Sequence, residues 1–111
     1  MKVGNLAAKR DFTDVRDIVK AYALAIEKTE SGEAYNIGQG QSHAVQEIVD
    51  ILLSNATKKI TVEKDPSLMR PVDLPEVVAD SHKFSSLTGW EPQIPFEQTI
   101  KDILDYWRHI V

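Results

Sequence analysis

The 111-residue sequence predicts an α/β protein of mixed helices and short strands, and three observations carry that expectation. Apolar residues recur at helical spacing in three stretches. Short runs with β-type character lie between them. Glycine and proline punctuate the boundaries.

In order along the chain, Met1-Lys-Val-Gly-Asn carries no helix or strand pattern. Residues 14–28 place Val15, Ile18, Val19, Tyr22 and Ile26 on one helical face. Thr13 or Asp14 can cap this helix, Asp17 suits its first turn, Lys28 suits its last, and Gly32 ends it. Residues 33–37 read as a strand stopped by Gly38. Ser42 can cap a second helix running to about Ser54, with Val45, Ile48, Val49 and Leu52 on one face. Residues 59–63 alternate, with Ile60 and Val62 inward, and predict a strand. Pro66, Pro71 and Pro75 make 64–76 a loop. A short strand is expected at 77–79, then a brief helix capped by Asp80 or Ser81 and closed by Gly89. Pro95 fits the first turn of a last helix bearing Phe96, Ile100, Ile103, Leu104 and Trp107. A sheet built only from these strands would have exposed edges. They are therefore expected to complete a sheet whose other strands lie outside this chain or come from a second copy.

The composition fits one domain or part of one. With 42% hydrophobic and 27% charged residues it is that of an ordinary soluble protein. A formal net charge of −4 argues against a nucleic-acid surface. The absence of cysteine excludes disulfides and thiolate metal sites. No apolar run approaches the roughly 20 residues of a membrane span, and the first residues lack the apolar core of a signal peptide. A cytoplasmic protein is expected. His43, His82 and His109 show no metal-ligand spacing and are expected on the surface or at caps, and Trp90 and Trp107 in the core.

Two arginines hold the strongest chemical signal: Arg10 in KRDFTDVRD and Arg70 in LMRPVDLP. A guanidinium is a planar, permanently charged fork that matches phosphate oxygens two at a time. Two forks facing one cavity would hold a pyrophosphate, and a carboxylate such as Asp73 could accept from vicinal hydroxyls. The plainer alternatives are an ion pair of Arg10 with Asp11 or Asp14 and a turn role for Asp73. Asp14, Arg16 and Asp17 are expected in capping and surface pairing. Residues 38–43, Gly-Gln-Gly-Gln-Ser-His, follow a predicted strand and open a predicted helix, the setting of a dinucleotide-binding turn, with Glu63 near the usual downstream distance. His43 stands where that turn wants a small residue. The favoured reading is a tight turn, with an NAD binder through Gly38 to His43 as the alternative.

Four segments carry a resemblance: VGNLAAKRDFTDVRDIVKAY, AYNIGQGQS, RPVDLP and LTGWEPQIPFEQTIKDILDYW. In this order they resemble the extended short-chain dehydrogenase/reductase family, the NAD-dependent sugar-nucleotide epimerases, dehydratases and reductases. The form of the first segment resembles the GDP-sugar branch, the GDP-mannose 4,6-dehydratases and GDP-4-keto-6-deoxy-mannose reductases. The resemblance implies the C-terminal, substrate-binding portion of a Rossmann-type fold, spanning residues 1–111. It implies that Arg10 and Arg70 contact a nucleotide diphosphate and that Asp73 contacts the ribose. It also implies that Asn5, Leu6 and Lys9 lie along the base-binding segment. The family's engine, a Gly-rich cofactor turn and a Tyr-x-x-x-Lys pair, is not in this sequence. Ile26, Gln39 and Ile110 stand four residues after Tyr22, Tyr35 and Tyr106. Catalytic residues and a cofactor are thus expected to be none in this chain, with NAD(P) held by a full-length parent. The expected partners are a GDP-sugar and either the missing N-terminal Rossmann part or a second copy in a homo-oligomer. A self-associating structural fragment that binds no nucleotide is a further alternative.

Overall fold

A computed structural model describes residues 1–71 and 74–111. Among these residues the elements are β1 (Lys2–Val3), β2 (Lys9–Arg10), α1 (Val15–Lys28), β3 (His43–Ala44), α2 (Val45–Ser54), β4 (Glu63–Lys64), a 3-10 turn (Pro66–Leu68), α3 (His82–Thr88) and α4 (Phe96–Ile110). The class is mixed α/β, as predicted. Two ribbons of two strands each stand in place of a larger sheet. β1 runs parallel to β4, and β2 runs antiparallel to β3 with Arg10 opposite His43.

The helices form where their periodicity placed them. Asp14 caps α1 by accepting the Arg16 N–H at 2.9 Å, and Asp17 lies in the first turn as expected. Gly89 ends α3 with a φ of 75°, a left-handed conformation open to glycine at no steric cost. The α2 start differs from expectation. Ser42 turns away to Glu76. The Glu47 carboxylate instead reaches back to the Ala44 N–H at 2.6 Å, while the carbonyls of Ala8 and Leu6 take the N–H groups of Val45 and Gln46. At the start of α3 the Asp80 carboxylate accepts the His82 N–H at 3.0 Å.

The strand expectations fare worse. Residues 33–37 and 77–79 are not strands; near the latter a single bridge joins Lys9 to Glu76. Only the end of the predicted 59–63 strand pairs, as β4. The N-terminal residues, which show no pattern in the sequence, form β1. In each case pairing decided: a strand exists only where a neighbour accepts its hydrogen bonds.

The core is small. Ala21, Phe84 and Trp90 are buried together, with Leu24, Ala25, Tyr35 and Ile37 packed partly against them. Phe84 meets Trp90 and Tyr35 edge to face at centroid distances of 5.9 and 6.0 Å. Asp17, expected in surface pairing, is instead 1% exposed. Its Oδ2 accepts the N–H groups of Gln93 and Ile94 at 3.1 and 3.0 Å, and its carbonyl accepts Trp90 Nε1 at 3.0 Å. Trp90 fills the core as expected, whereas Trp107 is 54% exposed.

The molecule is a thin slab of 49 × 35 × 19 Å with a radius of gyration of 16.8 Å. A compact domain of this length would have about 13 Å. Its accessible surface is 7997 Å². A monomer of 12.5 kDa would expose about 6,200 Å².

Candidate functional site

Arg10 owes its position to backbone pairing on both sides of β2. Its partner across one edge is His43. On the other edge Lys9 N–H donates to Pro75 at 2.8 Å and Val77 N–H donates to the Lys9 carbonyl at 3.1 Å. The strand is thereby held between the 43–44 and 75–77 segments.

Asp11 ties this strand to the turns around it. Its Oδ1 accepts the Gln39 N–H at 2.8 Å, and its Oδ2 accepts the N–H groups of Gly40 and Ala79 at 2.9 and 3.1 Å. One carboxylate thus gathers the 38–40 turn, the 79 segment and β2. Gly38 is required for this gathering: a Cβ there would lie 2.5 Å from the Ala79 Cβ and 2.8 Å from Asp11 Oδ2. The same geometry removes the dinucleotide reading of the turn. The amides that would face a phosphate already face an internal carboxylate, and α2 begins at Val45 rather than directly after the glycines.

With Asp11 and Asp14 engaged elsewhere, the expected surface pair of Arg10 does not form. Its Nη1 donates to the Lys9 carbonyl at 2.7 Å, and no carboxylate pairs with it among the described residues. The guanidinium lines an open cavity of about 430 Å³ with Thr13, Asn36, Val77, Val78 and Asp80. That volume lies in the range of small-ligand pockets. A cation, an amide, a hydroxyl and two valines are the means to hold an anion beside an apolar or planar group, opposed by two carboxylates on the same lining, Asp11, which accepts three amides, and Asp80, which accepts the His82 N–H.

The other predicted site residues are scattered. Lys9 is exposed on β2 beside Arg10. Asn5 accepts the Ala7 N–H at 2.9 Å and makes a local turn. The Leu6 side chain is buried, with 7% exposure. Arg70 is exposed, comes shortly after the 3-10 turn, and is not among the residues lining the Arg10 cavity. Asp73 lies outside the described residues.

A second charged cluster joins α1 to α4. Arg16 grips Asp14 through Nε and Nη2, both at 2.9 Å, and reaches Asp102 at 2.6 Å, while the Thr99 hydroxyl donates to Asp14 at 2.8 Å. The Arg16 guanidinium, hydrogen-bonded to it, holds the Asp14 carboxyl well below the usual carboxylate range. Asp102 is lowered by the same guanidinium and by Gln98. Asp14 is 4% exposed, while the side chains of Arg16 and Asp102 keep 52% and 36% of their surface, so a buried cap at one end is continuous with the expected surface pair at the other. His43, expected at the surface or a cap, instead stacks its ring on Phe96 at 3.9 Å and sits 3.3 Å from Glu47.

Sequence reasoning missed Asp11 as the organiser of this region. The available signal was the cluster of backbone amides at 38–40, which need an acceptor once the turn is drawn inward.

Comparison with known proteins gives these residues a context. Residues 1–103 match the family described as GDP-mannose 4,6 dehydratase. The GDP-6-deoxy-D-mannose reductase of Pseudomonas aeruginosa is 31% identical over 107 residues, which are 96% of this chain and 35% of that protein. GDP-mannose 4,6 dehydratase 2 of Arabidopsis thaliana is 30% identical over 105 residues, 93% of this chain and 28% of that protein. Among solved structures, RMD from Pseudomonas aeruginosa complexed with NADPH superposes with a TM-score of 0.91 at 30% identity, over 100% of this chain and 36% of that one. UDP-glucose 4-epimerase of Thermotoga maritima with UDP-glucose gives 0.86 at 28% identity, over 98% and 35%. The chain thus spans about a third of the length of these relatives. Together with the order of its motifs and its mixed α/β fold, these matches mean that the chain belongs to the GDP-mannose 4,6 dehydratase family, within the extended short-chain dehydrogenase/reductase fold.

Proposed function

We propose that this chain is the nucleotide-sugar-binding portion of an NAD(P)-dependent GDP-sugar reductase or dehydratase, and that it performs no hydride transfer alone. The observation that carries the reading is the Arg10 guanidinium, which lines a 430 Å³ cavity while its two nearest acidic neighbours in sequence are bound elsewhere. Its role is to neutralise the diphosphate. Arg70 adds a second cation and Asp73 an acceptor for ribose hydroxyls, while Asn5, Leu6 and Lys9 border the base. The names of the Pseudomonas reductase and the Arabidopsis dehydratase supply the GDP-sugar class.

The residues of this chain do not fit an NAD(P) molecule. The 38–40 amides are taken by Asp11, and no Lys stands four residues after a Tyr. The cofactor is accordingly assigned to a body outside these 111 residues.

Titration calorimetry with GDP tests the binding half of the proposal. Sugar nucleotides are normally enclosed from two sides, so affinity for half a site should be weak, with Kd on the order of 1 mM. The Arg10→Ala, Arg70→Ala double variant should lose measurable binding. Equal affinity in the double variant and the wild type, or no heat with GDP at millimolar concentration, overturns the assignment.

A further inference from the structure

The chain just before Arg70 is fixed by a run of backbone contacts to the N-terminal residues. β1 pairs with β4, the Glu63 N–H donates to the Met1 carbonyl at 2.9 Å, and the Asp65 N–H donates to the Val3 carbonyl at 2.8 Å. The chain then folds into the 3-10 turn at Pro66–Leu68, and this turn lies on Gly4. A Cβ on Gly4 would overlap the Leu68 carbonyl oxygen and stand 3.4 Å from the Leu68 Cβ. Glycine is needed here for close approach of two backbones.

Asp65 shapes the turn. Its Oδ1 accepts the Ser67 N–H at 2.9 Å and the Ser67 hydroxyl at 2.7 Å. Its carbonyl accepts the Leu68 N–H at 3.0 Å, and the Pro66 carbonyl accepts the Met69 N–H at 3.2 Å. The last of these bonds ends one residue before Arg70. The Ser67 hydroxyl and N–H hold the Asp65 carboxyl below its ordinary value, so it is ionised at neutral pH. Gly4 is followed directly by Asn5 and Leu6. A single glycine contact therefore couples two parts of the proposed site that lie some sixty residues apart in the chain.

Resting on the proposed function, in which Arg70 neutralises the diphosphate, we infer that Asp65 and Gly4 are positioning residues: the Asp65-capped turn, seated on Gly4, sets where the Arg70 guanidinium stands relative to Asn5 and Leu6. Neither residue touches the ligand in this role. An exposed arginine pays conformational entropy when it closes on an anion, and a fixed backbone one residue before it lowers that cost.

The role has a sign. An ionised carboxylate that merely lay near a diphosphate would repel it, and its removal would tighten binding. A carboxylate that holds the Arg70 backbone in place does the opposite. GDP titration followed by NMR chemical shifts reads the difference in the 111-residue chain. Asp65→Ala should bind GDP about fivefold more weakly than the wild type. Asp65→Asn should stay within about twofold of the wild type, because its amide oxygen accepts the same Ser67 bonds. Gly4→Ala, which displaces the turn by another route, should weaken binding at least as much as Asp65→Ala. On an Arg70→Ala background, Asp65→Ala should have no further effect, since the side chain it positions is gone. Unchanged or tighter binding by Asp65→Ala, an Asp65→Asn variant as weak as Asp65→Ala, or a loss that persists undiminished on the Arg70→Ala background overturns this inference and leaves the proposed function standing. Wild-type affinity in Arg70→Ala, or no GDP binding by the wild type, overturns both.

Discussion

The two faces of α1 show opposite chemistry and opposite fates. The inner face buries Asp17 and Ala21, with Leu24 and Ala25 partly covered, against Phe84 and Trp90. The outer face, roughly 145° round the helix by the 100° step per residue, exposes Val15, Val19, Tyr22 and Ile26. The inner face is closed by small side chains that let neighbours approach and by a carboxylate that ties down the backbone of 93–94. The outer face holds the greater apolar mass and touches little. Hydrophobic periodicity therefore marks a surface that favours burial; it does not identify the body that buries it.

The strongest way to break this contrast is to remove its inner anchor. Phe84 is fully buried between Trp90 and Tyr35. Phe84→Ala loses the transfer free energy of the ring and leaves a cavity, together about 3–5 kcal/mol. For a slab with so small a core, that should leave no cooperative unfolding transition at 25 °C, as read by denaturant titration followed by Trp fluorescence. A transition retained within about 1 kcal/mol of the wild type would mean that the inner face is not what holds the chain together.

The helices, their order and the Gly89 stop were legible in the sequence because helical hydrogen bonds close within the segment itself. The strands were not. Residues 33–37 have the composition of a strand and sit where one was predicted, yet nothing within the described residues pairs with them. β1 formed from residues with no pattern because Glu63 and Asp65 donate to Met1 and Val3 at 2.9 and 2.8 Å. Pairing is a long-range property, and a period-2 pattern reports only a willingness to pair. At the candidate site, Arg10 was legible as a candidate because a guanidinium has the chemistry of an anion-binding fork, and what the fold adds is the cavity that Arg10 lines. The role of Asp11 was hidden by its neighbour. An acid beside an arginine reads as an ion pair, and only the fold shows it collecting three amides from two distant segments.

A smaller effect is expected at the hinge between the two faces, where Asp14 caps α1 and is clamped by Arg16 and Thr99. Asp14→Ala removes the cap and should cost about 1–2 kcal/mol at pH 7. The folded chain holds this carboxyl below its unfolded value of about 3.9, so the unfolded chain takes up the proton first as pH falls. The stabilisation by Asp14 is therefore complete above about pH 5 and is lost as pH drops below about 4. Denaturant midpoints of the two proteins should differ at pH 7 and draw together toward pH 3. A constant gap across that range would show that the carboxylate's charge contributes nothing at this joint.

The smallest effect is expected where hydrophobicity is greatest. Tyr22 is 61% exposed on the outer face. In the isolated chain, Tyr22→Ser removes little buried area and exchanges one middling helix former for another, so stability should change by no more than about 0.5 kcal/mol. On a helix whose apolar stripe formed the core, the same change would cost several times as much. The pair of values, large at Phe84 and near zero at Tyr22, would locate the fold's cohesion on the side of α1 with the smaller and more polar residues. A loss above about 2 kcal/mol at Tyr22 would place an unrecognised contact on the outer stripe, and that surface would then belong to the chain's own core rather than to a partner.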